Sequence, residues 1–107
     1  NSKELLKVLS FYKFVICCEN SKTKGYVTEK IFNIFLAGSI PIYDGAPDIE
    51  RYIHKDSYIK YDDNLIENVK RIMNDEGEYN KMLGIEKINK ELNMENFKEK
   101  FSNRLKK

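Results

Sequence analysis

The run Phe14-Val15-Ile16-Cys17-Cys18 is apolar at every position and rich in β-branched and aromatic residues. A half-buried strand alternates apolar with polar, so an unbroken run of this length reads as a strand covered on both faces, the habit of parallel sheets. It ends in a polar stretch, Glu19 to Lys24, and then Gly25. Next comes a segment of helical period, Val27 to Ala37, with Ile31, Phe32, Phe35 and Leu36 as its apolar positions. Thr28 is a suitable N-cap and Gly38 a suitable C-terminal stop. Ile40 to Tyr43 is a second short strand, with Pro41 near its start, where a missing N–H is tolerable.

The remaining pattern continues the alternation. Gly45-Ala46-Pro47 is a turn, Asp48 to Tyr52 a short helix with Pro47 ahead of it, and Tyr58 to Tyr61 a third strand. Ahead of the first strand, Leu5, Leu6 and Leu9 mark a short amphipathic helix over residues 3 to 10. Leu65, Ile66, Val69, Ile72 and Met73 form a helical stripe. Tyr79, Met82 and Leu83 begin another, which Ile85, Ile88 and Leu92 would extend past Gly84. Phe97, Phe101 and Leu105 lie four apart and read as the docking face of a terminal helix. Strands alternating with helices imply right-handed crossovers and a Rossmann-like parallel α/β sheet with flanking helices. The 107 residues suffice for one domain. Three strands are few for such a sheet, so residues 1–107 read as a single domain that is itself partial, with strands expected upstream.

Composition excludes some functions. A net charge of +2, with acids and bases interleaved, offers no clustered basic face for nucleic acid. No apolar run approaches the roughly 18 residues of a membrane span. The chain as given therefore reads as cytoplasmic, although a full-length parent could carry a Golgi or membrane anchor. Cys17 and Cys18 are neighbours on a strand and point to opposite faces, which disfavours a mutual disulfide. Both are expected to be buried, and with the distant His54 they make no metal site.

In an open parallel sheet, ligands collect at the carboxyl ends of the strands. Two loops lie there: Glu19 to Tyr26 and Asp44 to Pro47. The first leads into a helix N-terminus, whose unpaired N–H groups and partial positive charge suit an anion. Lys30, in the first turn, opposes the helix dipole, and a bound diphosphate would justify it. Glu29 either stabilises that dipole or accepts hydrogen bonds from sugar hydroxyls. Asn20 either forms a turn or presents its amide to a ligand. Tyr26 either packs on the sheet or binds phosphate through its hydroxyl. Gly25 suits a close backbone approach or a positive φ. Neither a GxxxxGK[ST] loop nor a GxGxxG fingerprint is present.

Taken in order, Tyr12-Lys13-Phe14, Glu19-Asn20 and Gly25-Tyr26-Val27-Thr28-Glu29-Lys30 resemble the signature of the α1,3/α1,4-fucosyltransferases, glycosyltransferase family 10. Ile40-Pro41-Ile42-Tyr43 with Gly45-Ala46-Pro47 is similar to that family's next strand and turn, and Tyr58-Ile59 with Asp62-Asp63 to the segment after it. Cys18 departs from the aromatic residue common before Glu-Asn in the family. The resemblance implies the C-terminal half of a two-domain GT-B enzyme that holds GDP-fucose as donor substrate, with no tightly bound cofactor; none of the residues here is assigned to a metal. Asn20, Gly25, Tyr26, Glu29 and Lys30 would contact the donor. Lys30 and Glu29 would stabilise the leaving diphosphate and the charge developing on the fucose ring. The family inverts the anomeric carbon, using a carboxylate base in an N-terminal domain that would also meet the glycan acceptor. This stretch alone would therefore bind donor without transferring it. A non-catalytic Rossmann-like binding module and a GT-B transferase using another nucleotide sugar are the alternatives.

Overall fold

A computed structural model describes residues 2–88. The elements run α1 (Ser2–Leu9), β1 (Phe14–Cys18), α2 (Glu29–Leu36), β2 (Ile40–Asp44), a 3-10 turn (Ile49–Arg51), β3 (Ile59–Lys60), α3 (Leu65–Met73) and α4 (Glu76–Gly84). The expected order of elements is therefore present, with β3 shorter than the expected strand.

The three strands form one parallel sheet in the order β1-β2-β3. Phe14 pairs with Ile40 and Cys18 with Asp44, while β3 joins only at Ile42 and Tyr43. That register explains how Pro41 sits in the central strand. The Ile40 amide donates to Lys13 O at 2.8 Å, on the β1 side. Pro41 therefore turns its donor-less nitrogen toward the β3 side, ahead of the point where that ladder starts, and no sheet bond is lost.

Side chains of alternate residues serve two cores. On one face Cys17 and Tyr43 pack with Ile31, Phe32 and Ile34 of α2 and with Ile49 and Ile53. On the other, Ile40, Ile42 and Ile59 pack with Ile72 of α3 and, at the margin, Tyr79 and Met82 of α4. Ile31, Ile40, Ile53 and Ile72 are the largest side chains fully withdrawn from water, each worth about 1.5–3 kcal/mol of burial. Thr28 caps α2 by accepting from the Lys30 amide, and Gly38 takes φ +81° just past its end, as the sequence indicates.

Three expectations need correction. β1 is covered on one face only along most of its length: Cys17 is buried, but Ile16 is 59% exposed and Cys18 is exposed. The helices on that face cover β2 and β3, leaving β1 beyond their reach except at Phe14. Leu36, Ile66 and Met73 are likewise exposed, so the working stripes are narrower than the apolar pattern. Past Gly84, the described residues 85–88 are not helical. Ile85 is extended, and Ile88 instead bridges Ile53 in antiparallel fashion and packs on the α2-side core. Leu92, Phe97, Phe101 and Leu105 lie outside the described residues.

Candidate functional site

The carboxyl ends of β1 and β2 bring the two loops together. The Glu19 amide continues the ladder one step past β1 by donating to Asp44 O at 2.9 Å. Beyond this point the chains diverge, one toward the N-terminus of α2 and the other into the turn at Gly45.

Glu19 is the anchor of this junction. Its carboxylate is buried, 4% exposed, which is tolerable only because hydrogen bonds replace the lost water. It accepts from the Thr28 amide at 2.8 Å, the Thr28 hydroxyl at 2.7 Å and the Tyr43 hydroxyl at 3.2 Å. The Tyr43 hydroxyl also accepts from the Ala46 amide at 3.1 Å. Burial raises the Tyr43 phenol well above its ordinary value, and the neighbouring Glu19 carboxylate adds to this, against a lowering pull from the Ala46 N–H. In the sequence Glu19 stands out only as part of the Glu19-Asn20 string. The available signal was a carboxylate closing an apolar strand, with a helix-capping threonine nine residues on.

The anchored loop presents its other side chains outward. Asn20, Tyr26 and Lys30 are exposed and Glu29 is half-buried, whereas Ile31 to Ile34 of the same helix are buried. Asn20 and Tyr26 make no side-chain hydrogen bond among the described residues. Lys30 reaches over the end of β1, its Nζ 3.4 Å from Cys18 O. Gly25 has φ +78°, the left-handed conformation anticipated for it, and its amide donates to Asp48 Oδ1 at 2.8 Å. Lys22 pairs with Asp44 at 3.2 Å, a second tie between the two loops. The structure thus brings Glu29 and Lys30 together in the first turn of α2, above the end of β1. Gly25 is instead held toward the second loop.

Chemically, this edge combines a helix start, where the Thr28 amide is taken by Glu19 and the Lys30 amide by the Thr28 hydroxyl, with the exposed Lys30 ammonium and the hydrogen-bonding groups of Asn20, Tyr26 and Glu29. It can receive an anion bearing hydroxyl groups. Among the described residues no three His, Cys, Asp or Glu side chains are grouped to hold a metal ion. A cavity of about 310 Å³ opens on the outer side of the second loop, lined by Tyr43, Gly45, Ala46, Ile49, Tyr58 and Lys60. A larger cavity, about 360 Å³, lies away from these loops, between β3 and the α3–α4 pair.

Residues 1–105 match the model for the C-terminal part of glycosyltransferase family 10 (fucosyltransferase). Over 65 residues the chain is 45% identical to 4-galactosyl-N-acetylglucosaminide 3-alpha-L-fucosyltransferase 9 of Homo sapiens, covering 59% of this chain and 18% of that protein. Over 63 residues it is 40% identical to alpha-(1,3)-fucosyltransferase FucT of Helicobacter pylori, covering 59% and 13%. The structure is similar to a crystal structure of α1,3-fucosyltransferase with GDP-fucose, at TM-score 0.75 and 32% identity over 83% of this chain and 28% of that one. It is also similar to a crystal structure of α1,3-fucosyltransferase with GDP, at TM-score 0.71 and 32% identity over 76% and 25%. The alignments thus span less than a fifth of the curated relatives. With the family model matched almost from end to end, the chain belongs to glycosyltransferase family 10, the fucosyltransferases, and corresponds to their C-terminal part.

Proposed function

We propose that this chain is the donor-binding part of a fucosyltransferase, which transfers L-fucose from GDP-fucose to a hydroxyl of a glycan acceptor. The observation that carries the reading is the exposed set Asn20, Tyr26 and Lys30, with half-buried Glu29 beside them and Gly25 turned toward the second loop, at the carboxyl edge of a parallel sheet. Support also comes from structural neighbours solved with GDP and with GDP-fucose. Residues 1–107 form one donor-binding domain, partial in extent, which works with an N-terminal domain that supplies the acceptor site.

In this reading the diphosphate lies against the N-terminus of α2. Lys30 pairs with it and stabilises the negative charge that grows as GDP departs. Gly25 lets the backbone come close, Tyr26 holds a phosphate oxygen through its hydroxyl, and Asn20 donates its amide. Glu29 accepts from donor hydroxyls or balances the positive charge developing on the fucose ring. Transfer inverts the anomeric carbon. A carboxylate from the N-terminal domain takes the proton of the acceptor hydroxyl while GDP leaves from the opposite face.

The test is Lys30→Ala in the full-length transferase. Loss of one charge-assisted contact to a phosphate lowers kcat/KM for GDP-fucose by roughly 10–100-fold with the fold intact. An unchanged kcat/KM in a folded variant removes Lys30 from the donor site.

A further inference from the structure

Glu19 and Tyr43 are not among the side chains assigned to donor contact, and both are buried. Together they form one connected path. It starts at the N-cap of α2, where Thr28 gives both its amide and its hydroxyl to Glu19. It crosses from the end of β1 to β2 through the Glu19–Tyr43 bond. It enters the Asp44–Pro47 loop where the Tyr43 hydroxyl accepts from the Ala46 amide.

Local structure alone does not require this path. Thr28 could cap α2 with its hydroxyl rotor free, as N-caps commonly do. Donation to Glu19 fixes that rotor and so directs a lone pair at the Lys30 amide, 3.4 Å away. The turn at Ala46 already has its own bond, with the Ile49 amide donating to Ala46 O at 3.2 Å. What the path adds is a buried side-chain connection between the α2 N-cap and the second loop, beside the Glu19 amide bond to Asp44 O and the exposed Lys22–Asp44 pair. Gly45 shows how closely it is built. A Cβ there would stand 2.7 Å from Tyr43 Cζ and collide with Glu19 Cγ as well.

We propose that Glu19 and Tyr43 are positioning residues for donor binding: they lock the first turn of α2, with Glu29 and Lys30, to the Asp44–Pro47 loop, so that the donor meets a preformed site. The proposal rests on the donor-site reading above. A preformed site spares the donor the cost of ordering two loops, and a loosened one charges that cost to binding. Tyr43 thereby acts on Lys30 without touching the ligand.

The experiment uses the full-length transferase with Tyr43→Phe, Glu19→Gln and the double variant. Tyr43→Phe keeps the ring and its edge-on packing against Tyr58, at 6.2 Å between centroids, and removes only the hydroxyl. The expected result is a rise in KM for GDP-fucose of about tenfold, the size of one hydrogen bond, with acceptor KM unchanged. The double variant should be no worse than the weaker single one, because both break one path. An unchanged donor KM in folded Tyr43→Phe overturns the proposal, even if its Tm falls, and so do additive effects. A second readout does not depend on the ligand. Amide exchange at Thr28, which is linked to Tyr43 only through Glu19 in the hydrogen-bond path, should quicken in Tyr43→Phe, and unchanged exchange there overturns the locking. Should the wild-type enzyme bind no GDP, the donor reading fails while this exchange measurement still decides the coupling.

Discussion

Single residues at this site owe their identity to space and to charge. Gly45 is an example of the first. A methyl group there has no room beside Glu19 and Tyr43, whose positions are fixed by four hydrogen bonds. Gly45→Ala should therefore destabilise the fold by about 1–3 kcal/mol, the usual cost of overpacking. Urea titration would measure this, and an unchanged midpoint would show that the junction is looser than described. Lys30 is an example of the second. Its place against the helix dipole can be read from sequence, because a threonine N-cap two residues earlier fixes where the helix begins. Glu19 could not be read in the same way. Its partners lie nine and twenty-four residues away, and only folding shows that its carboxylate faces inward rather than toward a ligand.

At the scale of elements, the alternation of strand and helix was legible because each element carries a local signal. α2 has its threonine cap and its Gly38 stop, and β2 is a β-branched run with a proline at a harmless place. Coverage was not legible. The same apolar run makes Cys17 core and leaves Cys18 exposed, since burial depends on how far α3 and α4 reach across the sheet. One consequence concerns the face under α2, where Cys17, Tyr43 and Tyr58 pack. Burial pushes the Cys17 thiol from 9.0 up to about 12, with the Glu19 carboxylate adding to the effect. Burial, aided by Glu50, likewise takes Tyr58 from 10.0 to about 12, and Tyr43 is raised further. Each folded-state value lies above its unfolded one, so the folded chain holds these protons longer than the unfolded chain does. Stability from this face is then full below about pH 9 and lost as pH rises toward 12. Urea midpoints at pH 8, 9.5 and 11 should fall in that order, and a flat series would contradict the burial of these groups.

At the largest scale, the described residues form one sheet with helices on both faces and two loops meeting at the strand ends, the arrangement that suits open α/β sheets to phosphate-bearing ligands. The family could be recognised from an ordered string between Tyr12 and Asp63, and the match over residues 1–105 agrees with it. The string alone does not reveal that the two strand-end loops are joined through a buried carboxylate. In the proposed donor-site reading, that junction ties the first turn of α2, which carries Lys30, to the second strand-end loop. Titration calorimetry of GDP, GDP-fucose, GDP-mannose and UDP into the folded chain tests this account most directly. The account predicts binding of GDP and GDP-fucose at least about tenfold tighter than UDP, a difference of about 1.4 kcal/mol. Tighter binding of UDP, or no binding of GDP by a sample shown to be folded, would contradict it.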